Sequence, residues 1–386
     1  MTNPKLFTRE FILVAGIAFF SSMNFQTLAA TIPKYAIEVF DMSETLAGLA
    51  SGLYVGGQMI SRMIAGRFVN RVGVRPMLFI GCIGLVVFSL GYFVADVPSA
   101  LFLVRFFNGF FYGMTSVTCV TIISIIIPRE RSGEGIAYFT IFPMIAWGIG
   151  PYFGVNFSEA GNYTALFLLC TIAPGIGLLL IPFIRAQKTI MAEAANTEKN
   201  ISLFDKFFEK PVIPLALATL LMTLFFTAVT GFAAVYAKTI NLSDVSLFFL
   251  FFAVSVIAIR PLIGKLFDKY GGTMILIPGV FIMAAGYVVF SQISSLQSII
   301  ISAVLFGISN GIIQTVTLTL VVKRTARERL GTANATYYLF LDISAVLGPF
   351  IGGMIIEGFG YTVTFITGAV VLVIGLLVYL RFVREE

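Results

Sequence analysis

Four ionisable side chains interrupt long apolar stretches of this sequence, and they are the first candidates for chemistry: Arg62, Arg105, Arg260 and Asp342. Asp342 is the one acid within such a stretch. Desolvation favours the neutral acid, whereas a nearby cation favours the carboxylate, and a proton carrier needs this balance. We therefore predict that Asp342 takes up and releases a proton, with a hydrogen-bonded helix-packing role as the alternative.

The three arginines divide by their depth in the apolar stretches. Arg105 lies several residues inside its stretch, where a cation costs from about 3 to over 10 kcal/mol unless it is paired or hydrated. We favour a coupling or substrate role for Arg105 over a structural bond to a neighbouring helix. Arg62 and Arg260 lie closer to the ends of their stretches, where a long side chain can snorkel. For these two we favour gating or orientation over direct substrate contact.

Amide and phenol side chains recur in otherwise apolar segments and are candidates to line a cavity. Tyrosine can equally mark a membrane interface, so only some of them are expected to meet a substrate. We select five as candidate substrate contacts: Asn24, Tyr112, Asn310, Gln314 and Tyr338.

The elements that carry these residues are predicted to be membrane-spanning helices. Hydrophobic residues make up 58% of the 386 positions and charged residues only 11%, with a mean hydropathy of +0.98. About 20 apolar residues suffice for a helix to cross a bilayer. Twelve such stretches are present, at roughly 11–33, 46–68, 75–94, 98–122, 134–156, 163–184, 212–236, 244–265, 272–291, 296–321, 331–355 and 361–381. We predict an all-α integral membrane fold of twelve transmembrane helices.

The distribution of basic residues predicts the orientation. Lys and Arg collect in cytoplasmic loops of membrane proteins. With both termini inside, only Lys34 and Lys238 of the 25 Lys and Arg fall in outer loops, and three more lie within spans. We predict cytoplasmic termini and a multi-pass protein of a bacterial inner membrane.

Composition also argues against several classes of protein. The basic residues behind the net charge of +6 are scattered through short loops, which fits lipid contact better than nucleic acid. The chain has no His, and its three Cys fall inside predicted spans, so we expect no metal and no cofactor. No Walker loop, HExxH or GxSxG is present, which argues against a membrane enzyme. A receptor would need a larger soluble part than these short loops provide. Two repeated halves with few pore-lining charges resemble an alternating-access transporter more than a fixed channel.

The chain contains an internal repeat with an offset of 198 residues. At this offset Arg62 falls on Arg260, and the segment 128–133 (PRERSG) falls on 326–331 (ARERLG). Gly150-Pro151 falls on Gly348-Pro349 in the same register. Two parallel six-helix halves related by an axis along the membrane normal follow. We predict bundles at 1–184 and 211–386, joined by a polar cytoplasmic linker at 185–210.

The loop after the second span reads GRFVNRVGVRP (66–76), and its repeat reads GKLFDKYGG (264–272). This resembles the cytoplasmic loop signature of the major facilitator superfamily: Gly, three residues, Asp, a basic residue, one residue, Gly. In the first copy Asn70 replaces the acid, whereas the second copy keeps Asp268. We expect any charge latch in the first half to be weaker or differently made. Eight residues are gating candidates. Six lie in the two copies, and Arg62 and Arg260 lie four residues before each copy: Gly66, Asn70, Arg71, Gly73, Gly264, Asp268, Arg62 and Arg260.

Two further segments carry the resemblance. IAWGIGPYFG (145–154) resembles the fifth-span signature of the antiporter branch, and LFLVRFFNGFFYG (101–113) resembles its fourth-span signature. The resemblance implies a proton-coupling role for Arg105. Four residues of the fifth span are predicted to form a tightly packed face that seals a leak path: Gly148, Gly150, Pro151 and Gly154.

Taken with the repeat, these motifs imply a secondary active transporter. We expect a monomer in the lipid bilayer that exports a small molecule, such as a drug, metabolite or metallophore, in exchange for protons. An importer of a sugar, nucleoside or organic anion is the alternative.

Overall fold

The computed structural model describes residues 6–42, 44–184, 203–240 and 246–383, and the elements in these ranges are helices and turns. The first six long helices are α1 (Arg9–Phe40), α2 (Glu44–Val72), α3 (Val74–Leu90), α4 (Pro98–Ile126), α5 (Ser132–Glu159) and α6 (Tyr163–Leu180). A five-residue helix, Leu203–Phe207, follows.

The second set consists of α7 (Ile213–Thr239), α8 (Ser246–Tyr270), α9 (Gly272–Ser291) and α10 (Leu296–Arg324). The last helical run, Leu330–Phe382, is interrupted at Gly360, which has a φ of 82°. We therefore divide it into α11 (330–359) and α12 (361–382). Most of the predicted linker, 185–202, lies outside the described residues.

Length and apolar composition qualify ten of the described helices as candidate membrane spans. The last of them covers 56 residues and contains the break at Gly360, so it supplies two spans. The remaining span is α2, which has 29 residues but a more polar composition. The prediction of a twelve-helix all-α membrane fold is confirmed.

The chain forms two compact units. Unit 1 contains Met1–Pro128, Phe139–Glu209 and Thr325–Thr336, and unit 2 contains Arg129–Tyr138, Lys210–Arg324 and Tyr337–Glu386. The first turns of α5 therefore belong to unit 2, and the first turns of α11 belong to unit 1. The division at 1–184, 185–210 and 211–386 stays a prediction.

The repeat is visible in the backbone of both units. Gly73 and Gly271, which are 198 residues apart, precede α3 and α9 with φ of 99° and 82°. Residues with a side chain rarely adopt these angles. The glycine-containing loop therefore makes the same tight turn in each unit.

Close helix packing in unit 1 is concentrated between α2 and α4. A Cβ built at Gly109 would lie 2.0 Å from the Tyr54 carbonyl oxygen, and one at Gly57 would lie 2.0 Å from that of Phe106. In unit 2, a Cβ at Gly307 would lie 2.6 Å from the carbonyl oxygen of Phe252. Small residues permit such approach of two backbones. We call these contacts the α2/α4 seam and the α8/α10 seam.

Candidate functional site

Arg105 is buried in unit 1 against neutral partners. Its side chain is 1% exposed, its Nε donates to the Ala50 carbonyl at 3.1 Å, and its Nη1 donates to the Tyr92 hydroxyl at 3.4 Å. The guanidinium carbon lies 4.5 Å from the centre of the Tyr54 ring. Ala50 and Tyr54 are one turn apart, so they share a face of α2. Arg105 thus makes the carbonyl bond that we considered as its structural alternative, and its coupling role stays a prediction.

The equivalent site in unit 2 is apolar. Ala303 stands at the position of Arg105 and Phe252 at that of Tyr54, and both are buried. Because the α8/α10 seam forms without a cation, helix packing alone does not require one at position 105.

Asn24 belongs to a fully buried hydrogen-bond network in unit 1. Its Nδ2 donates to the Ser89 hydroxyl at 2.7 Å and to the Cys170 carbonyl at 2.6 Å. Asn108 Nδ2 donates to the same hydroxyl at 3.2 Å. These bonds tie α1, α3, α4 and α6 together, so the structure gives Asn24 helix partners at the position where we predicted a substrate contact.

Tyr112 lies in an aromatic cluster between α1, α2 and α4. Its ring stacks on Phe25 with a centroid distance of 4.9 Å, and Phe25 stacks on Tyr54 at 5.0 Å. The Tyr112 hydroxyl shares a hydrogen bond of 3.4 Å with Ser22. The cluster brings Tyr112 within one residue of the Arg105 site, because Tyr54 belongs to both.

Two of the four candidate residues of α5, Gly150 and Gly154, pack on α1. A Cβ at Gly150 would lie 3.1 Å from Thr27, one at Gly154 would lie 3.0 Å from it, and the Thr27 hydroxyl donates to the Gly150 carbonyl at 3.1 Å. Gly148 is exposed, and a Cβ there would meet nothing within 4 Å. Its placement on the packed face is wrong, because a two-residue offset turns it to another side of the helix. Pro151 is half-buried inside α5.

Arg260 forms the centre of a polar cluster in unit 2. It is 2% exposed, and its Nη2 donates to the Gln314 Oε1 at 3.2 Å. The hydroxyls of Tyr337 and Tyr338 lie close enough to interact electrostatically with the guanidinium, and Tyr337 also shares a hydrogen bond of 2.9 Å with Thr317. The cluster brings together two of the predicted substrate contacts, Gln314 and Tyr338.

The burial of Arg62 and Arg260 differs from the snorkelling that we expected. Arg62 is 5% exposed, and Arg260 lies near the middle of α8. A side chain that reached an interface would retain exposed area. Both side chains are buried and do not reach an interface.

Asp342 is buried in α11, with 6% exposure. It lies roughly 18 Å along the helix from Leu330, at about 1.5 Å per residue. Ser344, two residues further, shares a hydrogen bond of 2.9 Å with Thr223 and so ties this part of α11 to α7. Asn310 on α10 is also buried, and in the described structure its Oδ1 has no hydrogen-bond partner.

Asp268 holds the start of α5 within unit 2. Its two carboxylate oxygens accept from the backbone N–H groups of Gly133 and Glu134, each at 3.0 Å, and Lys323 Nζ lies 3.7 Å from Oδ1. The carboxylate therefore caps donors that a helix start leaves without an intrahelical acceptor, where the helix dipole also favours negative charge. A Cβ at Gly264 would lie 2.7 Å from the Gly133 carbonyl oxygen.

The first copy of the motif packs in the same way. In unit 1, a Cβ at Gly66 would lie 2.3 Å from the Ala335 Cβ and 3.0 Å from the Gly331 carbonyl oxygen, and Thr332 donates to the Gly66 carbonyl at 3.2 Å. The side chains of Asn70 and Arg71 lie outside the described part.

Sequence reasoning missed several residues that contact the candidates. Tyr54 and Tyr92 surround Arg105, and Glu209 pairs with Arg329 on unit 1. Asn334 is fully buried and donates to Ser124 at 3.3 Å. Tyr54, Tyr92 and Asn334, polar side chains within apolar spans, carried a signal in the sequence, whereas Glu209 did not.

Comparison with known proteins places these features in a family. The sequence model of the Major Facilitator Superfamily matches residues 14–298 and, in an overlapping match, residues 245–386. The Staphylopine export protein of Staphylococcus aureus is 24% identical over 367 residues, which cover 88% of each chain. The Multi-drug resistance efflux pump PmrA of Streptococcus pneumoniae is 24% identical over 333 residues, covering 83% of this chain and 81% of that protein.

A solved structure shares the fold. The structure of the proton:xylose symporter XylE, bound to 6-bromo-6-deoxy-D-glucose, superposes with a TM-score of 0.77 at 15% identity and covers 97% of this chain and 96% of that one. With twelve repeated helices, the loop motif in both units and a family match across nearly the whole length, this chain belongs to the Major Facilitator Superfamily and is a multi-pass membrane transporter.

Proposed function

We propose that this transporter exports a small molecule in exchange for protons, with Asp342 as the proton carrier. The observation that carries the proposal is the burial of this carboxyl, at 6% exposure, well inside α11. A carboxylate at that depth is costly. Its burial is explained if Asp342 alternates between a neutral and a charged form during the cycle.

The Arg260 cluster supports the substrate half of the proposal. Gln314 and Tyr338 are only half-buried and lie beside the Arg260 guanidinium. Amide and phenol groups can donate and accept hydrogen bonds, so they suit a polar group on a substrate. We propose that Gln314 and Tyr338, with Tyr112 in unit 1, contact the substrate.

Arg105 and the glycine motifs complete the proposed machinery. We propose that Arg105 takes part in proton coupling in unit 1. The side of the bilayer to which the transporter opens would be set by the loop glycines, Asp268, Arg62 and Arg260. Substrate and proton binding would then shift the population of two states.

Export is favoured over import by the relatives that share most of the chain. A staphylopine exporter and a multidrug efflux pump both align over more than four fifths of its length. The symporter shares the fold alone. We further propose cytoplasmic termini, a monomer and a bacterial inner membrane, because of the basic inner loops.

Transport into inverted membrane vesicles tests the proposal. A panel of drugs, metabolites and metallophores is offered with and without a pH gradient. At least one compound should accumulate only when the gradient is present. Asp342→Asn should abolish gradient-driven accumulation while sparing substrate binding, because the amide preserves the shape but cannot cycle a proton.

Glu357→Gln is the matched control, since Glu357 is an exposed acid on the same helix. It should transport like the parent. An Asp342→Asn variant that still accumulates substrate against a gradient, with an unchanged dependence on pH, would refute the coupling role of Asp342.

A further inference from the structure

The two copies of the loop motif make the same backbone contact but differ in charge. Gly66 packs on Gly331 and Ala335 in unit 1, and Gly264 packs on Gly133 and Ala137 in unit 2. These partners are related by the repeat offset of 198 residues. Gly66 therefore packs on the start of α11 in the same register in which Gly264 packs on the start of α5.

The carboxylate contact exists only in the second copy. Asp268 accepts from two backbone N–H groups at 3.0 Å, whereas the first copy has Asn70, which has no negative charge. In unit 2, Arg131 pairs with Glu134 three residues further, at 2.7 Å. At the repeat offset of 198 residues, Arg131 corresponds to Arg329 and Glu134 corresponds to Thr332. Arg329 therefore has no acid three residues further along the chain.

In unit 1 the acid that pairs with Arg329 is Glu209. Its carboxylate accepts from Arg329 Nε, and the side chain of Glu209 is 12% exposed. Arg329 Nη2 also donates to the Asp205 carbonyl at 2.7 Å, and the Glu209 N–H donates to the Thr336 hydroxyl at 3.0 Å. Glu209 thus contacts the start of α11 at two points, Arg329 and Thr336, which lie almost two turns apart.

A nearby aromatic contact fixes the segment that carries Glu209. The guanidinium of Arg67 lies 4.9 Å from the centre of the Phe207 ring. Arg67 follows Gly66 in the motif itself. Residues 203–209 therefore rest on the same part of α2 that packs against the start of α11.

We propose that Glu209 supplies, from outside the motif, the carboxylate that pairs with Arg329 where the repeat has Thr332 in place of Glu134, and that it holds the start of α11 on unit 1 in one state of the transport cycle. Glu209 is a positioning residue in this proposal, which rests on alternating access but on neither the direction of transport nor the coupling ion. The contact must break when the first turns of α11 leave unit 1.

Opening of this contact can be measured without substrate. Ser124 is buried on α4 and accepts a hydrogen bond from Asn334 of α11, so a Ser124→Cys thiol becomes accessible to a membrane-permeant maleimide when α11 leaves. The parent chain gives the background, because Cys82, Cys119 and Cys170 are buried.

Glu209→Gln should raise the labelling rate of Ser124→Cys about tenfold, since loss of one charge-assisted bond changes a two-state ratio by at least this factor. Transport should slow while membrane abundance is unchanged. Asp205→Asn is the matched control, because it keeps the backbone carbonyl that accepts from Arg329, and it should label like the parent.

Rescue distinguishes a missing charge from a damaged fold. Exchanging the two charges, Glu209→Arg with Arg329→Glu, should return labelling and transport towards the parent values. Parental labelling of Glu209→Gln would overturn the proposal. So would failure of the exchanged pair to restore labelling in a folded protein, or a loss of activity that only follows a loss of abundance. A vesicle assay that finds no proton coupling leaves these labelling results unaffected and therefore tests the proposed function separately.

Discussion

Arg105→Ala tests whether the buried cation of unit 1 serves transport or packing. The substitution removes a charge-assisted hydrogen bond to the Ala50 carbonyl, worth about 1.5–3 kcal/mol, and a longer one to the Tyr92 hydroxyl, worth about 0.5–1 kcal/mol. It also removes a cation–π contact with Tyr54, worth about 2 kcal/mol when desolvated. It also removes the cost of holding a charge within the membrane, about 2.5–3.5 kcal/mol by insertion scales. The opposing contributions largely cancel, so we expect stability to fall by only about 2 kcal/mol.

The assay measures stability and transport in the same preparations. Detergent-solubilised Arg105→Ala should show nearly parental abundance and thermal unfolding, while vesicle transport is lost. The double variant Arg105→Ala with Tyr54→Phe reproduces the Ala303 and Phe252 pair of unit 2 and should unfold at a similar temperature. Arg9→Ala is the control, because Arg9 is exposed and its cation–π contact with Phe183 is longer, at 5.7 Å.

Two results would refute this reasoning. If folded protein is lost in proportion to activity, the bonds of Arg105 are structural and the cancellation is wrong. If transport persists, Arg105 has no part in coupling.

Two further substitutions test the packing described above. Gly109→Ala should sharply reduce folded protein, measured by size-exclusion chromatography, because its Cβ would lie 2.0 Å from the Tyr54 carbonyl oxygen; Gly56→Ala, whose Cβ meets nothing within 4 Å, should leave abundance unchanged or raise it. Asp268→Asn should slow vesicle transport about tenfold at constant abundance, since the amide can replace only one of two charge-assisted acceptors; an unchanged rate would contradict a gating role.

The sequence predicted those features that depend on repetition and on apolar length. The offset of 198 residues matched Gly66 with Gly264 and Gly73 with Gly271, and the structure gives each pair the same packing or turn. Such matches are readable because a close backbone approach or a positive φ restricts the residue type.

Features that depend on which way a helix faces were not predictable in the same manner. Asn24 and Gly148 were assigned by residue type alone, and the structure gives the first a network of helix partners and the second an exposed position. Glu209 was passed over because it lies in a polar segment, where an acid is ordinary. Its pairing with Arg329 joins positions 120 residues apart, and a single sequence does not reveal that contact.

The α2/α4 seam brings backbone against backbone, without an intervening layer of side chains. At these contacts no side chain can change its rotamer to make room. Movement of α2 along or around α4 would therefore require the two helices to separate. We therefore expect α2 and α4 to move together as one rigid body. Arg105 and Tyr54, which lie on opposite sides of this joint, would therefore travel together, and a ligand that displaces one helix acts on both.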